Sequence, residues 1–260
     1  VYKRQNLNTD YSEGIAITSS IHPEPHTHIE PVRYPPGSNA MGLLATILVD
    51  GGGRIPRQLR FLGQAIRHPV TFLRSLSVRR WSERSVILLV MQSLDNRIHL
   101  SLKKGWLGSR LRSHQDEDTP NPNYIPIGNE AARAAARSID GFASSAINEV
   151  LLDVPTTAHI IGGCPIGVTA EQGAIDAYQR VFGYEGLHVA DGSVLPANLG
   201  VNPALTITAM TERAMAYWPN KGQADQRPPL GAPYEDAPRA APTHPVVAPG
   251  APGELRGYGD

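Results

Sequence analysis

Three short motifs between residues 159 and 206 carry the groups of this chain that are suited to acid–base chemistry beside a bound anion. They read His159-Ile-Ile-Gly-Gly-Cys164, Leu187-His-Val-Ala-Asp-Gly-Ser193 and Gly200-Val-Asn-Pro-Ala-Leu-Thr206. The first supplies an imidazole, which can take up and return a proton near neutral pH. The second predicts a strand that ends in a glycine turn, and the third predicts the start of a helix. A glycine turn and a positively polarised helix start both favour an anionic ligand.

The dipeptide Asn202-Pro203 predicts where that helix begins. Asn is a favoured N-cap residue, and Pro is favoured at the first helical position. The backbone N–H groups of the first turn would then be open toward residues 200–201. The Asn202 amide has separate donor and acceptor ends. It can therefore cap the helix, contact a ligand, or do both, and the sequence alone leaves these roles open.

Together these motifs resemble the C-terminal end of the glucose–methanol–choline (GMC) flavin oxidoreductases. The resemblance is greatest to their bacterial cholesterol oxidase branch, whose members carry His-x-x-Gly-Gly-Cys, Asp-Gly-Ser and Gly-Val-Asn-Pro in the same order. Asn202 stands where the glucose oxidase branch has a second His. The resemblance is specific over residues 159–213 and extends more weakly from Gly14 to Arg227. It implies FAD-dependent oxidation of a secondary alcohol, foremost the 3-hydroxyl of a sterol, with O2 as the implied electron acceptor.

The resemblance also implies a role for the residues of the motifs. His159 would be the catalytic group that holds the alcohol and manages its proton, with Asn202 beside it. The start of the helix would face the flavin ring, where negative charge develops on reduction. A histidine packed at a strand end with one backbone partner is the plainer interpretation of His159. The implied cofactor contacts are Asp191, Gly192, Asn202, Pro203 and Ala204.

A further candidate lies far upstream, in the segment Thr27-His-Ile-Glu-Pro-Val-Arg-Tyr34. This segment resembles a substrate-domain strand on which cholesterol oxidases carry a Glu that shifts the steroid double bond after oxidation. Glu30 would be that base and thus a third catalytic residue. The match is short, and a salt bridge from Glu30 to Arg33 on a half-exposed strand is the alternative.

Three histidines near Glu30 suggest a metal site, because His26 and His28 would project from one face of a strand. With His22 they lack the further ligand of a known metal fold, so no metal ligand is predicted. Cys164 sits in a glycine turn and is interpreted as a small packing residue rather than a nucleophile.

Three alternatives to a sterol oxidase remain open: a GMC dehydrogenase of another alcohol, an inactive half-enzyme, and a His-rich metal-binding module.

The bulk composition argues against several classes of partner. The 24 basic and 24 acidic residues give a net charge of zero, which does not favour electrostatic capture of nucleic acid or of a membrane. The longest apolar run, Val86–Met91, is too short to span a bilayer, so no stable membrane insertion is predicted. The single cysteine excludes an internal disulfide. Cytoplasmic and secreted bacterial locations both remain open.

The resemblance implies an α+β fold that forms the C-terminal part of a GMC oxidoreductase. By the same resemblance, residues 6–150 would form an antiparallel-sheet substrate domain, and residues 151–222 the closing strand and helix of a Rossmann-like FAD-binding domain. Residues 1–5 are interpreted as a non-native leader, and residues 223–260 as a disordered Pro-rich tail. No Gly-x-Gly-x-x-Gly fingerprint is present, so we expect a longer enzyme of which this chain alone binds FAD poorly.

Apolar periodicity predicts the individual strands. Thr27–Tyr34 is expected to be an edge or bulged strand because of Pro31. Ser85–Ser93 and Arg97–Lys103 are expected to pair as a hairpin around Asp95-Asn96. Further strands are predicted at Gly14–Ser20 and Leu187–Ala190.

Helical spacing predicts two short helices, Arg57–His68 and Val70–Ser77, that are separated by Pro69. Their apolar residues at helical spacing are Leu59, Leu62 and Ile66 in the first, and Phe72, Leu73 and Leu76 in the second. Longer helices are predicted at Asn129–Asn148 and Pro203–Trp218. The segment Asn39–Asp50 fits either a helix or a strand.

Overall fold

The computed structural model describes residues 2–3, 9–106, 108–154, 157 and 159–232, so most of the predicted tail lies outside the described residues. The chain divides into two compact units, Val1–Ala158 (unit 1) and His159–Asp260 (unit 2). Over these ranges, unit 1 contains the strands and all α-helices but one. Within the same ranges, every helix is too short or too polar to cross a bilayer.

The described elements agree with an α+β fold of small antiparallel sheets. The strands are β1 Tyr2–Lys3, β2 Ile21–Glu24, β3 Thr27–Val32, β4 Ala45–Ile47, β5 Ile87–Gln92, β6 Ile98–Gly105, β7 Gly108–Gln115, β8 Gly141–Phe142 and β9 Ser144–Ala146. The α-helices are α1 Arg57–Arg67, α2 Pro69–Ser75, α3 Trp81–Arg84, α4 Pro126–Ser138, α5 Ile147–Leu152 and α6 Ala204–Ala216. Short 3-10 helices lie at Ser38–Leu44 and Gly192–Val194.

The largest sheet of unit 1 has the order β2-β3-β5, and β3 pairs with β5 over its whole length. β3 is therefore an interior strand rather than an edge, with a register shift in its ladder to β2. Pro31 fits because its nitrogen faces the β2 side, beyond the point where β2 pairs. The next backbone N–H on that side, from Arg33, donates to the backbone oxygen of Ala16.

The two faces of this sheet differ. Ile29 is fully buried and lies opposite Val90, which packs against Gly128 of α4; a Cβ on that glycine would lie 3.0 Å from a Val90 methyl. His28 and Glu30 alternate with Ile29 along β3 and so lie on the opposite face. Both are buried.

The core of unit 1 lies between the β4–β9 pair and the helices α1, α2 and α5. Its buried side chains are Ile47, Val49 and Val150, with Phe61, Ala65 and Phe72 packed against them. Two helices that meet at Pro69 are thus confirmed. Most of the apolar residues that predicted them nevertheless lie on the other side, since Leu59, Leu62 and Ile66 are more than half exposed.

A buried arginine at the start of α1 ties this core together. The Arg57 guanidinium donates to the backbone oxygens of Val49 (2.9 and 3.0 Å), Asn123 (3.1 Å) and Glu149 (3.2 Å). It also donates to Glu149 Oε1 at 2.9 Å. The four acceptor oxygens belong to Val49, Asn123 and Glu149. One planar donor group therefore joins three chain segments that are distant in sequence.

The prediction that Ser85–Ser93 and Arg97–Lys103 pair as a hairpin is wrong. β5 pairs with β3, whereas β6 pairs with β7 from Ile98 opposite Gln115 to Gly105 opposite Gly108. The apolar run of β5 is half-buried along its whole length, while β6 alternates and is mostly exposed, with Leu100 and Leu102 on one side. Strand composition indicated where both strands lie, but it did not specify which strand each one pairs with.

Three other predicted elements differ from the structure. The long helix begins earlier, at Pro126, and ends at Ser138, because Asp140 takes a left-handed conformation (φ 50°) before β8. The segment Gly14–Ser20 forms only an isolated bridge from Ile17 to Val32. The ambiguous segment Asn39–Asp50 contains both a 3-10 helix and β4.

Unit 2 is built mainly of turns and loops around a small core. Ile175, Val194 and Leu195 form its buried apolar cluster, and Ile161, Ile207 and Met210 are among the half-buried residues packed against it. Where Leu187–Ala190 was predicted to be a strand there is only an isolated bridge between Arg180 and His188, so that prediction is wrong over the described residues. A strand requires a neighbouring ladder, and the described part of unit 2 supplies only single bridges here.

Candidate cofactor and substrate site

The first two sequence motifs of unit 2 run side by side. The Gly162 N–H donates to the backbone oxygen of Gly192 at 3.2 Å, and the Cys164 N–H donates to that of Ser193 at 2.9 Å. Gly162 takes a positive φ of 81°, which favours glycine at this turn. The half-buried Cys164 thus contributes its backbone to the pairing, in agreement with a packing role.

The first two motifs meet helix α6, which follows from the third motif, at Gly192. A Cβ at this position would lie 2.7 Å from the backbone oxygen of Ile160 and 3.2 Å from Ile207 Cδ1 of α6. The glycine therefore allows the first motif, the second motif and the helix to approach more closely than any side chain would permit. Thr211 of α6 adds a hydrogen bond from its hydroxyl to the backbone oxygen of Ala190 at 3.2 Å.

Helix α6 begins one residue later than predicted, at Ala204, with Pro203 rather than Asn202 as its N-cap residue. Pro203 itself has helical backbone angles (φ −80°, ψ −10°). The Ile207 N–H donates to the Pro203 oxygen at 2.9 Å, which closes the first helical turn. The N–H groups of residues 204–206 precede it and belong to the set that a helix leaves for a cap or a ligand. Ala204 is exposed, so this end of the helix is open.

The two predicted hydroxyl-handling residues each stand at the start of a converging segment. His159 is half-buried and directly precedes Ile160, whose oxygen contacts the Gly192 turn. Asn202 is half-buried and lies two residues before α6. The apolar neighbours of these residues in sequence are exposed: Ile160 by 79%, Val201 by 62% and Leu205 by 81%. Exposed aliphatic side chains of this number indicate a surface that takes an apolar ligand or partner.

Asp191 shapes the turn that leads into Gly192. Its Oδ1 accepts the Ser193 backbone N–H at 2.9 Å and also accepts the Ser193 hydroxyl, and thereby caps the 3-10 helix Gly192–Val194. The Ser193 hydroxyl, followed by the backbone N–H, holds the pKa of Asp191 below its usual value. The carboxylate is therefore ionised at neutral pH. Both bonds go to Oδ1, which leaves Oδ2 as a further acceptor.

Glu30 belongs to the other unit. It lies on β3 opposite Leu89 of β5, on the sheet face that points away from α4. Its neighbour on that face, His28, is 5% exposed, and among the described residues the His28 Nε2 has no hydrogen-bond partner. Arg33, the alternative partner predicted for Glu30, donates to the backbone oxygen of Glu13.

The three histidines near Glu30 do not form a compact ligand set. His22 stacks on His28 with 5.6 Å between ring centroids, and His26 lies exposed in the turn before β3. Within the ranges that the structure describes, no cluster of three or more His, Cys, Asp or Glu side chains could hold a metal ion.

Sequence analysis missed the polar side chains that fix α6 in unit 2. Gln179 is 1% exposed and has a left-handed φ of 62°, and its Nε2 donates to the backbone oxygen of Met210 at 3.1 Å. Arg213 donates to the backbone oxygen of Ala177 at 2.7 Å. Neither residue belongs to a motif, and a left-handed glutamine has no local sequence signature, so no signal in the sequence indicates them.

Comparison with known proteins assigns the site to a family. A model described as GMC oxidoreductase, for the C-terminal domain of these enzymes, matches residues 101–211. That range includes His159, Asp191, Gly192 and Asn202 but not Glu30. Over that range the chain is similar to the C-terminal domain of the GMC oxidoreductases.

Three individual relatives show how far the similarity extends along the chain. The chain is 52% identical to a cholesterol oxidase of Mycobacterium tuberculosis (strain CDC 1551 / Oshkosh) over 256 residues, which are 96% of the chain and 44% of the relative. It is 42% identical to a cholesterol oxidase of Acinetobacter baumannii over 85% of the chain and 40% of the relative. A long-chain-alcohol oxidase of Arabidopsis thaliana is 53% identical over 51 residues, 20% of the chain and 7% of the relative. The chain thus spans less than half the length of these relatives.

Proposed function

We propose that the polypeptide carrying this chain is an FAD-dependent oxidoreductase that oxidises the 3-hydroxyl group of a sterol, with O2 as electron acceptor. The observation that carries the proposal is the close approach of the first two motifs and helix α6 at Gly192, in the same unit that contains His159, Asp191 and the start of α6. Similarity to two cholesterol oxidases extends over 96% and 85% of the chain, against 20% for the long-chain-alcohol oxidase. That breadth favours a sterol over another alcohol, because it includes unit 1, the proposed substrate domain.

The described residues fit a flavin. Open N–H groups at residues 204–206 carry the positive potential of a helix start, which suits the negative charge of a reduced flavin. The Asp191 Oδ2 offers an acceptor for a hydroxyl group of the ribityl chain. Ile160, Val201 and Leu205 offer exposed apolar surface for the ring system. When bound, the flavin supplies the acceptor for the hydride of the alcohol carbon.

In this proposal His159 and Asn202 act on the substrate hydroxyl group. A neutral imidazole can accept the hydroxyl proton at one ring nitrogen, while the amide of Asn202 donates to the same oxygen and orients it. Loss of that proton, together with loss of hydrogen from the carbinol carbon, leaves a ketone. His159 holds the proton until it passes to solvent.

Glu30 is proposed as the base that moves the steroid double bond after oxidation. Its burial on a sheet face beside the orphaned Nε2 of His28 supports this role. A buried imidazole nitrogen without a partner costs free energy, so a polar group beyond the described residues is expected to complete that face. A carboxylate there would take a proton from the carbon next to the new ketone and return it to the far end of the shifted double bond.

The oxidation step is tested with His159→Ala in the complete polypeptide. We expect flavin reduction by cholesterol to slow about 10²- to 10⁴-fold, the range for loss of a general base, while the absorbance of bound flavin is retained. His114→Ala, which removes an imidazole from the exposed hairpin of unit 1, serves as the matched control. Equal rates in the two variants would remove His159 from the mechanism.

The isomerisation step is tested with Glu30→Gln. The amide keeps the shape of the side chain but cannot act as a base, so cholesterol should be oxidised at the normal rate and the unconjugated ketone should accumulate. Product absorbance near the conjugated-enone band distinguishes the two ketones. Loss of both steps, or of neither, would contradict the assigned role.

A further inference from the structure

The outward side of helices α1 and α2 is apolar rather than polar. Phe61 and Phe72 mark the inward side, where their rings meet edge to face with centroids 5.8 Å apart over the core. Apolar residues spaced three and four apart occupy the opposite side of each helix. We call them the helix-pair surface; their exposed fractions are 60% for Leu59, 56% for Leu62, 71% for Ile66, 60% for Val70 and 66% for Leu73.

The charge around this surface is strongly one-sided. The segment 54–84 contains eight arginines, at positions 54, 57, 60, 67, 74, 79, 80 and 84, and one acid, Glu83. Arg57 and Arg60 turn inward onto backbone oxygens. Arg67 and Arg74 are exposed in the last turns of α1 and α2. A net charge of zero for the whole chain therefore conceals a local basic region that borders exposed aliphatic side chains.

We propose that the helix-pair surface docks on an anionic lipid bilayer. Aliphatic side chains on one side of a helix, with arginines at the border and hardly any acid, form the pattern of a helix that lies in a membrane interface. The aliphatic groups enter the boundary between headgroups and acyl chains. The guanidinium groups of Arg67 and Arg74 bind lipid phosphates, which they match as planar multiple donors. Docking of this kind places helices on the bilayer without crossing it.

The same features fit a protein partner less well. Protein interfaces concentrate binding energy in aromatic and arginine anchors seated in pockets, whereas the five side chains of the helix-pair surface are all aliphatic. The positive charge at its border would also oppose close approach of a second copy of this surface across a two-fold axis. An anionic bilayer satisfies both the apolar and the charged groups.

The inference rests in part on the proposed function, because a sterol substrate resides in membranes. Adsorption to vesicles is nevertheless measured without turnover, so the two proposals can fail separately. An enzyme that adsorbs but does not oxidise cholesterol would refute only the proposed function. An enzyme that oxidises cholesterol in detergent micelles but does not adsorb would refute only the docking.

The test is co-sedimentation of the complete polypeptide with phosphatidylcholine vesicles that do or do not contain phosphatidylserine. The triple variant Leu59→Gln/Leu62→Gln/Ile66→Gln should lower the partition coefficient about tenfold or more on both kinds of vesicle. Arg67→Gln and Arg74→Gln should each lower it about fivefold, and only on vesicles with phosphatidylserine. Turnover of cholesterol in detergent micelles should stay unchanged in every variant.

Leu100→Gln/Leu102→Gln on β6 is the matched control, because these leucines are 67% and 64% exposed on another surface of unit 1. It should bind vesicles as the natural chain does. Equal binding of the control and the triple variant would overturn the proposal. So would a loss of self-association in the triple variant, or slow thiol labelling of Ile66→Cys in a Cys164→Ser background before vesicles are added, since either shows that protein covers the surface.

Discussion

The two units of this chain fix their backbones by different means. Unit 1 uses ladders and helices, and where three of its segments meet it uses the buried guanidinium of Arg57. The described part of unit 2 relies on isolated bridges, positive-φ glycines and close contacts such as the one at Gly192. The residues suited to chemistry lie mainly in the less regular unit.

This difference suits the roles proposed for the two units. A ladder fixes side chains at regular intervals on two faces, as in the alternation of Ile29 with His28 and Glu30 along β3. A cofactor needs backbone N–H groups and a carboxylate brought to one point, and turns that glycine permits can do so where a ladder cannot. Stability in unit 1 should therefore depend strongly on the buried Arg57, and in unit 2 also on positions that exclude a side chain, such as Gly192.

The largest effect is expected for Arg57→Met in unit 1. The substitution leaves Glu149 without its cationic partner and three backbone oxygens without the Arg57 donor, so the free energy of unfolding should fall by about 3 kcal/mol or more. Urea denaturation of the purified chain measures it. Arg80→Met removes the exposed pair of Arg80 with Glu83 and should cost under about 1 kcal/mol. Similar losses in both variants would mean that Arg57 does not hold the three segments together.

A smaller effect is expected for Gly192→Ala in unit 2. The new Cβ would lie 2.7 Å from the backbone oxygen of Ile160, which cannot move without its neighbours, so a loss of about 1–3 kcal/mol is expected. Gly63→Ala is the control: it has no atom within 4 Å of its Cβ and lies within α1, where alanine should stabilise by about 1 kcal/mol. A neutral effect of Gly192→Ala would show that the first two motifs and α6 meet less closely than described.

Sequence patterns predicted much of the candidate site because its residues lie in contiguous motifs. Neighbouring residues that restrict the backbone, such as Gly162 and Pro203, indicated the candidates. These candidates are His159, Asp191 and Asn202. The patterns did not specify which segments pair with each other when they are distant in sequence. The pairing of β5 with β3 rather than β6, and the single bridge in place of a strand at Leu187–Ala190, depend on which segments are available as neighbours.

Burial was also predicted poorly where a helix has two apolar sides. Leu59, Leu62 and Ile66 have the spacing of a core-facing stripe, yet Phe61 and Ala65 occupy the core side of α1. Periodicity shows that a side is apolar but does not show which of two apolar sides is buried. The same limit applies to α6, where Ile207 packs against the core of unit 2 while Leu205 is 81% exposed.

The smallest effect is expected at the end of unit 2, where Asp225 and Arg227 hold the chain beyond α6. Arg227 donates to Asp225 at 2.7 Å through Nη2 and at 2.9 Å through Nε, and its guanidinium lies over the Trp218 ring. This hydrogen bonding lowers the pKa of Asp225 to about 2. A carboxyl whose pKa is lower in the folded state contributes stability above its unfolded pKa of about 3.9, and that stability is lost as the pH falls toward 2.

The pH dependence of Asp225→Asn isolates this contribution. Because the Asp225 side chain is 41% exposed, screening by solvent should limit its contribution to under about 1 kcal/mol. At pH 5 the variant should be less stable than the natural chain by that amount, and near pH 2 the two unfolding free energies should converge. Equal stability of the two chains at pH 5 would show that packing of Arg227 on Trp218 rather than the charge of Asp225 secures this segment.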